Sequence, residues 1–569
     1  MDVKGLSGAE AFLGLLGKMG IEYIFASPGS EWAPVWEYLA KPYSPGEAIP
    51  QYLSSRHEEI SVGMASGYAK ATGTLPAVML HTTVGALHAT MALRGALHEE
   101  VPMVVFTGES IGFGEEQGPD PGAQWLRHLA DVGGPARLVE PCVKWSVGVN
   151  TPALMPATIQ RACQLAMSIP RGPVFVSLPM EYLFATMATS APAAASLPHC
   201  PTADPRGIEE LARMLAEAKN PVIIPEELGR TVGAVERLVE LAELLGAPVV
   251  ETRDPGYVNF PRTHPLHGGN DPGPYLQDAD LVLLLNAVRP WHPPSAGPRG
   301  ARVAVLGESP LRPELPYWGL SIDLCLAGET ESSLGQLIER LTERIAGDAT
   351  RARRAAEWGQ RHQQRKQAWA EEALALKNRR PIDTRWIVRE LNEVLPSDAI
   401  VVDETITHRS HIVSHLDRLK PGAFFSGFCG GLGTGLGTAL GVKAAAPVRP
   451  VIVTIGDGAF SYNPVLAALG VSQEYGMPLL IVMFNNHGYL SQKSGVPRYY
   501  PEGWAVKSKT FVGTSITPSP DYAAIARAFE GYGEKVEEPS EVRPALERGL
   551  KAVASGQLAL IDFWLDAVN

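Results

Sequence analysis

The sequence predicts an α/β protein built from three doubly wound parallel-sheet domains, and three observations predict it. The chain has 569 residues, too many for a single core. Short apolar runs alternate along it with helix-length segments. One stretch, from Val451 to Gly488, reads as a complete βαβ unit: an apolar run to Ile455 ends in Gly456-Asp457-Gly458, a helix-length segment follows, and a second apolar run from Pro478 to Phe484 ends in Asn485-Asn486.

Taken in order, the first domain spans residues 1–184. Apolar positions from Leu6 to Met19 fall at helical spacing, and a strand from Tyr23 to Phe25 runs into Ser27-Pro28-Gly29-Ser30 before a helix from Ala33 to Leu39. Arg56-His57-Glu58-Glu59 opens a small-residue helix that ends at Gly73, and the next strand, Leu75 to Leu80, ends in His81-Thr82-Thr83. Further strands are predicted from Met103 to Thr107 and from Val174 to Leu178. An Ala/Ser/Pro-rich linker, Ala185 to Pro205, is poorly suited to core formation. The central domain, 205–345, should hold strands near Val222–Ile224, Pro248–Glu251, Leu281–Leu285 and Val303–Leu306. Its first strand ends in Pro225-Glu226-Glu227-Leu228-Gly229 rather than in a glycine-rich turn, which argues against a bound dinucleotide. A charged helical linker covers 346–380, and the third domain runs from 381 to 569.

Composition narrows the class. With 45% hydrophobic and 19% charged residues the chain is ordinary globular protein, and its net charge of −12, with no basic cluster, argues against nucleic-acid binding. Five cysteines, odd in number and never spaced as CxxC, support neither a disulfide scaffold nor a zinc site. The first 24 residues carry acids and lysines where a signal peptide would have an apolar core, and charge-free runs such as Pro421 to Val442 are too rich in Gly, Thr and Ser to span a bilayer. The expectation is a cytoplasmic protein with no membrane association.

The βαβ stretch indicates chemistry. Its crossover brings the carboxyl ends of two parallel strands to one sheet edge, where open α/β sheets bind ligands. Asp457, Asn486 and a backbone carbonyl at Gly488 would there supply hard oxygen ligands suited to Mg²⁺ and a diphosphate, with the backbone amides of Gly458 and Ala459 facing the anion.

These residues also resemble a family. GDG followed after 26 residues by NN is similar to the cofactor fingerprint of thiamine diphosphate enzymes of the acetolactate synthase, pyruvate decarboxylase and benzoylformate decarboxylase group. Arg56-His57-Glu58, with Gly67-Tyr68-Ala69-Lys70 nine positions on, resembles that family's activating-glutamate motif. Alone, Glu58 or Glu59 would read as a helix cap. The resemblance implies a pyrimidine-binding first domain, a central domain and a diphosphate-binding third domain, with thiamine diphosphate and Mg²⁺ as cofactors. It assigns Gly430 to the exocyclic amine of the cofactor and Leu432 to the apolar wedge beneath it; a hydroxyl from Thr405 or Thr407 would bond the diphosphate. Ser30, His81 and His292 look like the substrate-pocket serine and histidines of benzoylformate decarboxylase, and the segments from Leu80 to Glu109 and from Val143 to Ser146 resemble that enzyme more than acetolactate synthase.

What the resemblance implies is non-oxidative decarboxylation of a 2-keto acid through an enamine, with carboligation to an aldehyde acceptor. An acetolactate synthase-like transfer to a second carbonyl is the alternative. It also implies a homodimer or homotetramer, with Glu58 facing Asp457 across subunits. Three departures stand out: His88 where the family commonly has Asn, Ala459 where Ser is frequent, and Ser491-Gln492-Lys493-Ser494-Gly495 in place of an apolar wall. From Val496 to Ser515 a long Pro/Gly/aromatic loop is expected, serving as a lid or in subunit packing.

Overall fold

A computed structural model describes residues 5–41, 48–110, 122–187, 195–315, 320–345, 349–427 and 430–566. Cys429 lies outside them. Three parallel sheets are present, as expected. In the first, the strands lie in the order Gln51–Ser54, Tyr23–Ser27, Ala77–Leu80, Met103–Glu109, Pro173–Pro179, Trp145–Gly148. In the last, the order is Phe424–Ser426, Ile400–Glu404, Val451–Gly456, Leu480–Asn485, Ala559–Trp564, Tyr532–Val536. The two share one topology. In each, the first strand in sequence has its second and third on opposite sides, which opens a crevice at the carboxyl ends of the first and third.

The inner strands are apolar along their whole length because helices cover both faces, and Ala77–Leu80 and Val451–Ile455 are buried at every position. The central sheet runs Leu324–Ala327, Arg302–Gly307, Leu281–Leu285, Pro221–Pro225. The strand predicted from Pro248 to Glu251 is reduced to isolated bridges of Val249 with Ile223 and with His267. At its end the Glu251 N–H bonds to the Gly269 carbonyl at 2.9 Å, and its buried carboxylate lies 3.4 Å from Arg262 and 3.3 Å from His267.

Two further expectations change. The helix from Leu6 begins two residues later, at Gly8–Lys18, because Ser7 and Glu10 form a reciprocal capping box, while Leu6–Ser7 pairs antiparallel with Thr186–Met187. The loop expected from Val496 is partly helical, with helices Leu490–Tyr499 and Trp504–Ser508. Neither helix buries a residue, so no apolar periodicity marks them in the sequence.

By contact the chain forms two units. One comprises residues 1–199 together with 429–447 and 463–477; the other holds the remainder. The first therefore contains helix Glu58–Thr72 packed against helix Gly435–Ala445. Their backbones touch because glycines meet them: a methyl group on Gly67 would stand 2.0 Å from the Thr438 carbonyl oxygen, and one on Gly441 1.9 Å from that of Met64. Gly335, in helix Thr330–Ile345, has open space around it instead.

These two environments predict opposite responses. Gly441→Val should lower stability by about 1–3 kcal/mol or more through overpacking, whereas Gly335→Ala should raise it by about 0.5–1 kcal/mol through reduced unfolded-state entropy. Thermal unfolding midpoints of the two variants check both signs.

Candidate active site

In the first unit the crevice lies between Tyr23–Ser27 and Ala77–Leu80. Ser30 opens the 3₁₀ turn Ser30–Trp32 at its rim and is exposed. Trp32, fully buried, donates from Nε1 to the Leu80 carbonyl at 2.9 Å and so pins this turn to the end of the neighbouring strand. That places Glu31, only 1% exposed, directly beneath His81. Its carboxylate oxygens lie 2.8 and 3.0 Å from His81 Nδ1, and Oε1 also accepts the Thr82 N–H at 3.0 Å. Gly108 closes the cradle: a methyl group there would meet Glu31 Cγ at 2.0 Å. The hydrogen bond from Glu31 raises the His81 pKa against the opposing effect of burial, with the charges of Glu31 and Glu58 adding to the rise.

Glu58 is the first residue of its helix, capped by His57, whose Nδ1 accepts the Glu59 N–H at 3.1 Å. Glu58 is thereby released from capping, and its negative charge is favoured at the helix N-terminus. A methyl group on Gly85 would meet both His81 Cβ, at 3.0 Å, and Glu58 Oε1, at 3.2 Å, so the carboxylate and the histidine flank one small residue. His88, the departure from the family pattern, is exposed and places Nδ1 3.3 Å from Glu58 Oε2, its ring stacked on His57 with centroids 5.6 Å apart. Burial lowers the His57 pKa. Gly430, at φ +75°, and half-buried Leu432 belong to this same unit.

The second unit holds the other predicted residues. At the crevice between Ile400–Glu404 and Val451–Gly456, Asp457 begins helix Asp457–Tyr462 and is 1% exposed. Burial pushes its pKa up to about 6, opposed by backbone N–H groups of Gly458, Gly488, Asp457 and Asn486 that face the carboxylate. Oδ2 of Asp457 nevertheless has no hydrogen-bond partner. A buried carboxylate oxygen left this way is costly unless a cation completes it. Buried Asn486 orients its Oδ1 to the Gly488 N–H at 3.2 Å, and Gly488 bridges to Ser515. An orphaned carboxylate oxygen, an amide oxygen and a backbone carbonyl are a donor set that fits Mg²⁺.

The two threonines separate. Thr405 is buried and donates its hydroxyl to Asp403 at 2.8 Å, an aspartate that also accepts from Thr454 at 2.8 Å and Arg409 at 2.9 Å. Thr407 is half-buried. Buried Ala459 follows Gly458 in the helix. His292 is exposed in the segment after Leu281–Leu285. At that central edge, Glu226 accepts the N–H groups of Val288 and, at 2.8 Å, Arg289, the kind of donors a phosphate would need. Sequence reasoning missed Glu31 and also His408, which contacts Asn486 at 3.4 Å and is driven down to a pKa of about 4 by burial. Glu31 directly follows the Ser27-Pro28-Gly29-Ser30 turn and His408 directly follows Thr407, which is the one signal that could have found them.

Two doubly wound sheets of one topology, one with Glu58 at a helix N-terminus and the other with buried Asp457 and Asn486 at its crevice, point to a thiamine diphosphate-binding enzyme. The chain belongs to the thiamine pyrophosphate enzyme family: the N-terminal TPP binding domain matches residues 6–118, the central domain 208–304 and the C-terminal TPP binding domain 407–563. It is 27% identical to sulfoacetaldehyde acetyltransferase of Castellaniella defragrans, over 97% of this chain and 91% of that protein. It is likewise 27% identical to benzoylformate decarboxylase of Pseudomonas aeruginosa, over 96% and 97%. In fold it resembles the thiamine diphosphate-dependent 4-hydroxybenzoylformate decarboxylase of Rhodococcus jostii RHA1, with a TM-score of 0.80, 24% identity and 99% of both chains covered. Among the described residues no helix is long and apolar enough to cross a membrane.

The Glu31–His81 pair makes a prediction. Glu31→Gln should lower the His81 titration midpoint toward the ordinary value of ~6.5. Because the folded-state value is raised, the pair's stabilisation is complete below ~6.5 and is lost as pH rises through the raised value. The thermal-stability gap between wild type and variant should therefore narrow over that window, measured alongside the His81 Cε1–H chemical shift.

Proposed function

We propose that this protein is a thiamine diphosphate- and Mg²⁺-dependent decarboxylase of a 2-keto acid, able to ligate the resulting unit to an aldehyde. The observation that carries the reading is His81, kept protonated to higher pH by buried Glu31 and separated from Glu58 only by Gly85. In this reading Asp457, Asn486 and the Gly488 carbonyl hold Mg²⁺, and Thr407 adds a hydroxyl toward the diphosphate. Gly430 and Leu432 seat the aminopyrimidine end. Thiamine diphosphate, when bound, supplies the electron sink that lets a 2-keto acid lose CO₂.

The chain's own residues do the rest. Glu58 is the positioned carboxylate that would hold or release the proton shared with the cofactor's aminopyrimidine ring. His81, as the imidazolium, donates a hydrogen bond to the oxygen on which negative charge develops and then serves as a proton source; Glu31 holds the ring in place and supports its charge. His292 is the second proton relay, and Ser30 at the crevice rim orients the substrate carboxylate.

A second reading, acyl transfer to another acceptor, is favoured by the likeness to sulfoacetaldehyde acetyltransferase and by the polar helix Leu490–Tyr499, which presents Ser491, Gln492 and Lys493. Such a surface suits an anionic substrate better than an aromatic one.

Glu58→Gln should abolish turnover, a loss of about 10²–10⁴-fold or more for a positioned proton donor, with cofactor binding by tryptophan quenching preserved. Full activity in that variant would sink the assignment. Product analysis with pyruvate, aromatic 2-keto acids and sulfoacetaldehyde, each with and without an aldehyde, separates the readings: free aldehyde marks decarboxylation, a hydroxyketone ligation, and an acylated acceptor transfer.

A further inference from the structure

The Asn486 side chain has two ends of nearly equal size and opposite chemistry. Only its oxygen can serve a hard divalent cation; turned end for end, it would present N–H groups instead. Packing barely distinguishes the two orientations, so hydrogen-bond partners must set the choice.

Both ends are engaged. Oδ1 accepts the Gly488 N–H at 3.2 Å, and Nδ2 stands 3.4 Å from His408 Nε2. On the other side of the imidazole, Nδ1 lies 3.0 Å from the hydroxyl oxygen of Thr384, a buried residue in the first turn of helix Thr384–Val394. A neutral imidazole has one N–H and one lone pair. With Nδ1–H donated to Thr384, the lone pair falls on Nε2, where it accepts an N–H from the Asn486 amide and has no hydrogen to offer the amide oxygen. The ring plane is fixed by Phe484, whose centroid is 5.6 Å away at an interplanar angle of 31°, in the strand that delivers Asn486.

We propose that His408, as the tautomer whose Nδ1–H is donated to Thr384, is a positioning residue that holds the Asn486 amide with its oxygen toward the bound divalent cation. The proposal rests on the reading above that Asp457, Asn486 and Gly488 hold that cation. Partners of this kind, one layer out from the metal, typically account for about 10–100-fold in metal affinity.

The test is Mn²⁺ binding to the full-length protein with thiamine diphosphate present, with free Mn²⁺ followed by electron paramagnetic resonance. His408→Leu, which cannot accept a hydrogen bond, should bind Mn²⁺ about 10–100-fold more weakly, and His408→Gln, which retains an acceptor, should recover most of that loss. Asp457→Asn serves as the control for the metal site itself and should lose binding. If Asp457→Asn binds Mn²⁺ like wild type, the metal assignment falls and the proposal with it. If Asp457→Asn loses binding while His408→Leu matches wild type, or if the Leu and Gln variants are equally weakened, the metal site stands and the role of His408 is overturned. Should His408→Leu fail to fold, Thr384→Val keeps the imidazole but removes the acceptor for its Nδ1–H: weakened Mn²⁺ binding then supports the proposal and unchanged affinity refutes it.

Discussion

Two helices can bring their backbones into contact only where glycines leave room at the crossing, and the first unit depends on that constraint. Helix Glu58–Thr72 and helix Gly435–Ala445 meet through Gly67 and Gly441, each with no room for a methyl group. This crossing fixes the axis of the helix whose first residue is Glu58, and it draws residues 429–447, with Gly430 and Leu432, into the unit that holds Glu58 and His81. A shift of either helix would move the carboxylate at its end. The packing of small residues is therefore also the means of aiming an acid.

Around that frame, each crevice keeps a charged group out of water beside a partner that decides its state. Glu31 is nearly inaccessible and turns to His81, raising its pKa; Asp457 is as deeply buried, and backbone amides leave one of its oxygens unanswered. The first carboxylate is completed within the protein and the second is not. That difference leaves His81 with a partner for its charge and Asp457 with an oxygen that has none, the feature on which the proposed cation rests.

How much of this could be read from the sequence follows from burial. The inner strands of the outer sheets, such as Tyr23–Ser27 and Val451–Gly456, announce themselves as apolar runs because both faces are covered. Gln51–Ser54, Trp145–Gly148, Phe424–Ser426 and Tyr532–Val536 lie at sheet edges. Edge strands are short and need no continuous apolar run, so their signal is weak. Ala559–Trp564 is an inner strand, yet Asp562 interrupts its pattern and is buried in the structure. Site residues with a motif around them, Glu58, Asp457 and Asn486, were legible. Glu31 and His408 were not, because each acts through a contact distant in sequence, 50 positions for Glu31 and His81 and 78 for His408 and Asn486.

The glycine crossing also bears on modularity. Residues 429–447 belong by covalent order to the last third of the chain and by contact to the first unit. A fragment cut at the linker before residue 205 would lose the helix that covers Gly63 and Gly67, and a complementary fragment would display Gly437 and Gly441 with nothing against them. Chimaeras between relatives should accordingly exchange both helices together, since their glycines form a single inherited surface divided between two distant parts of the chain.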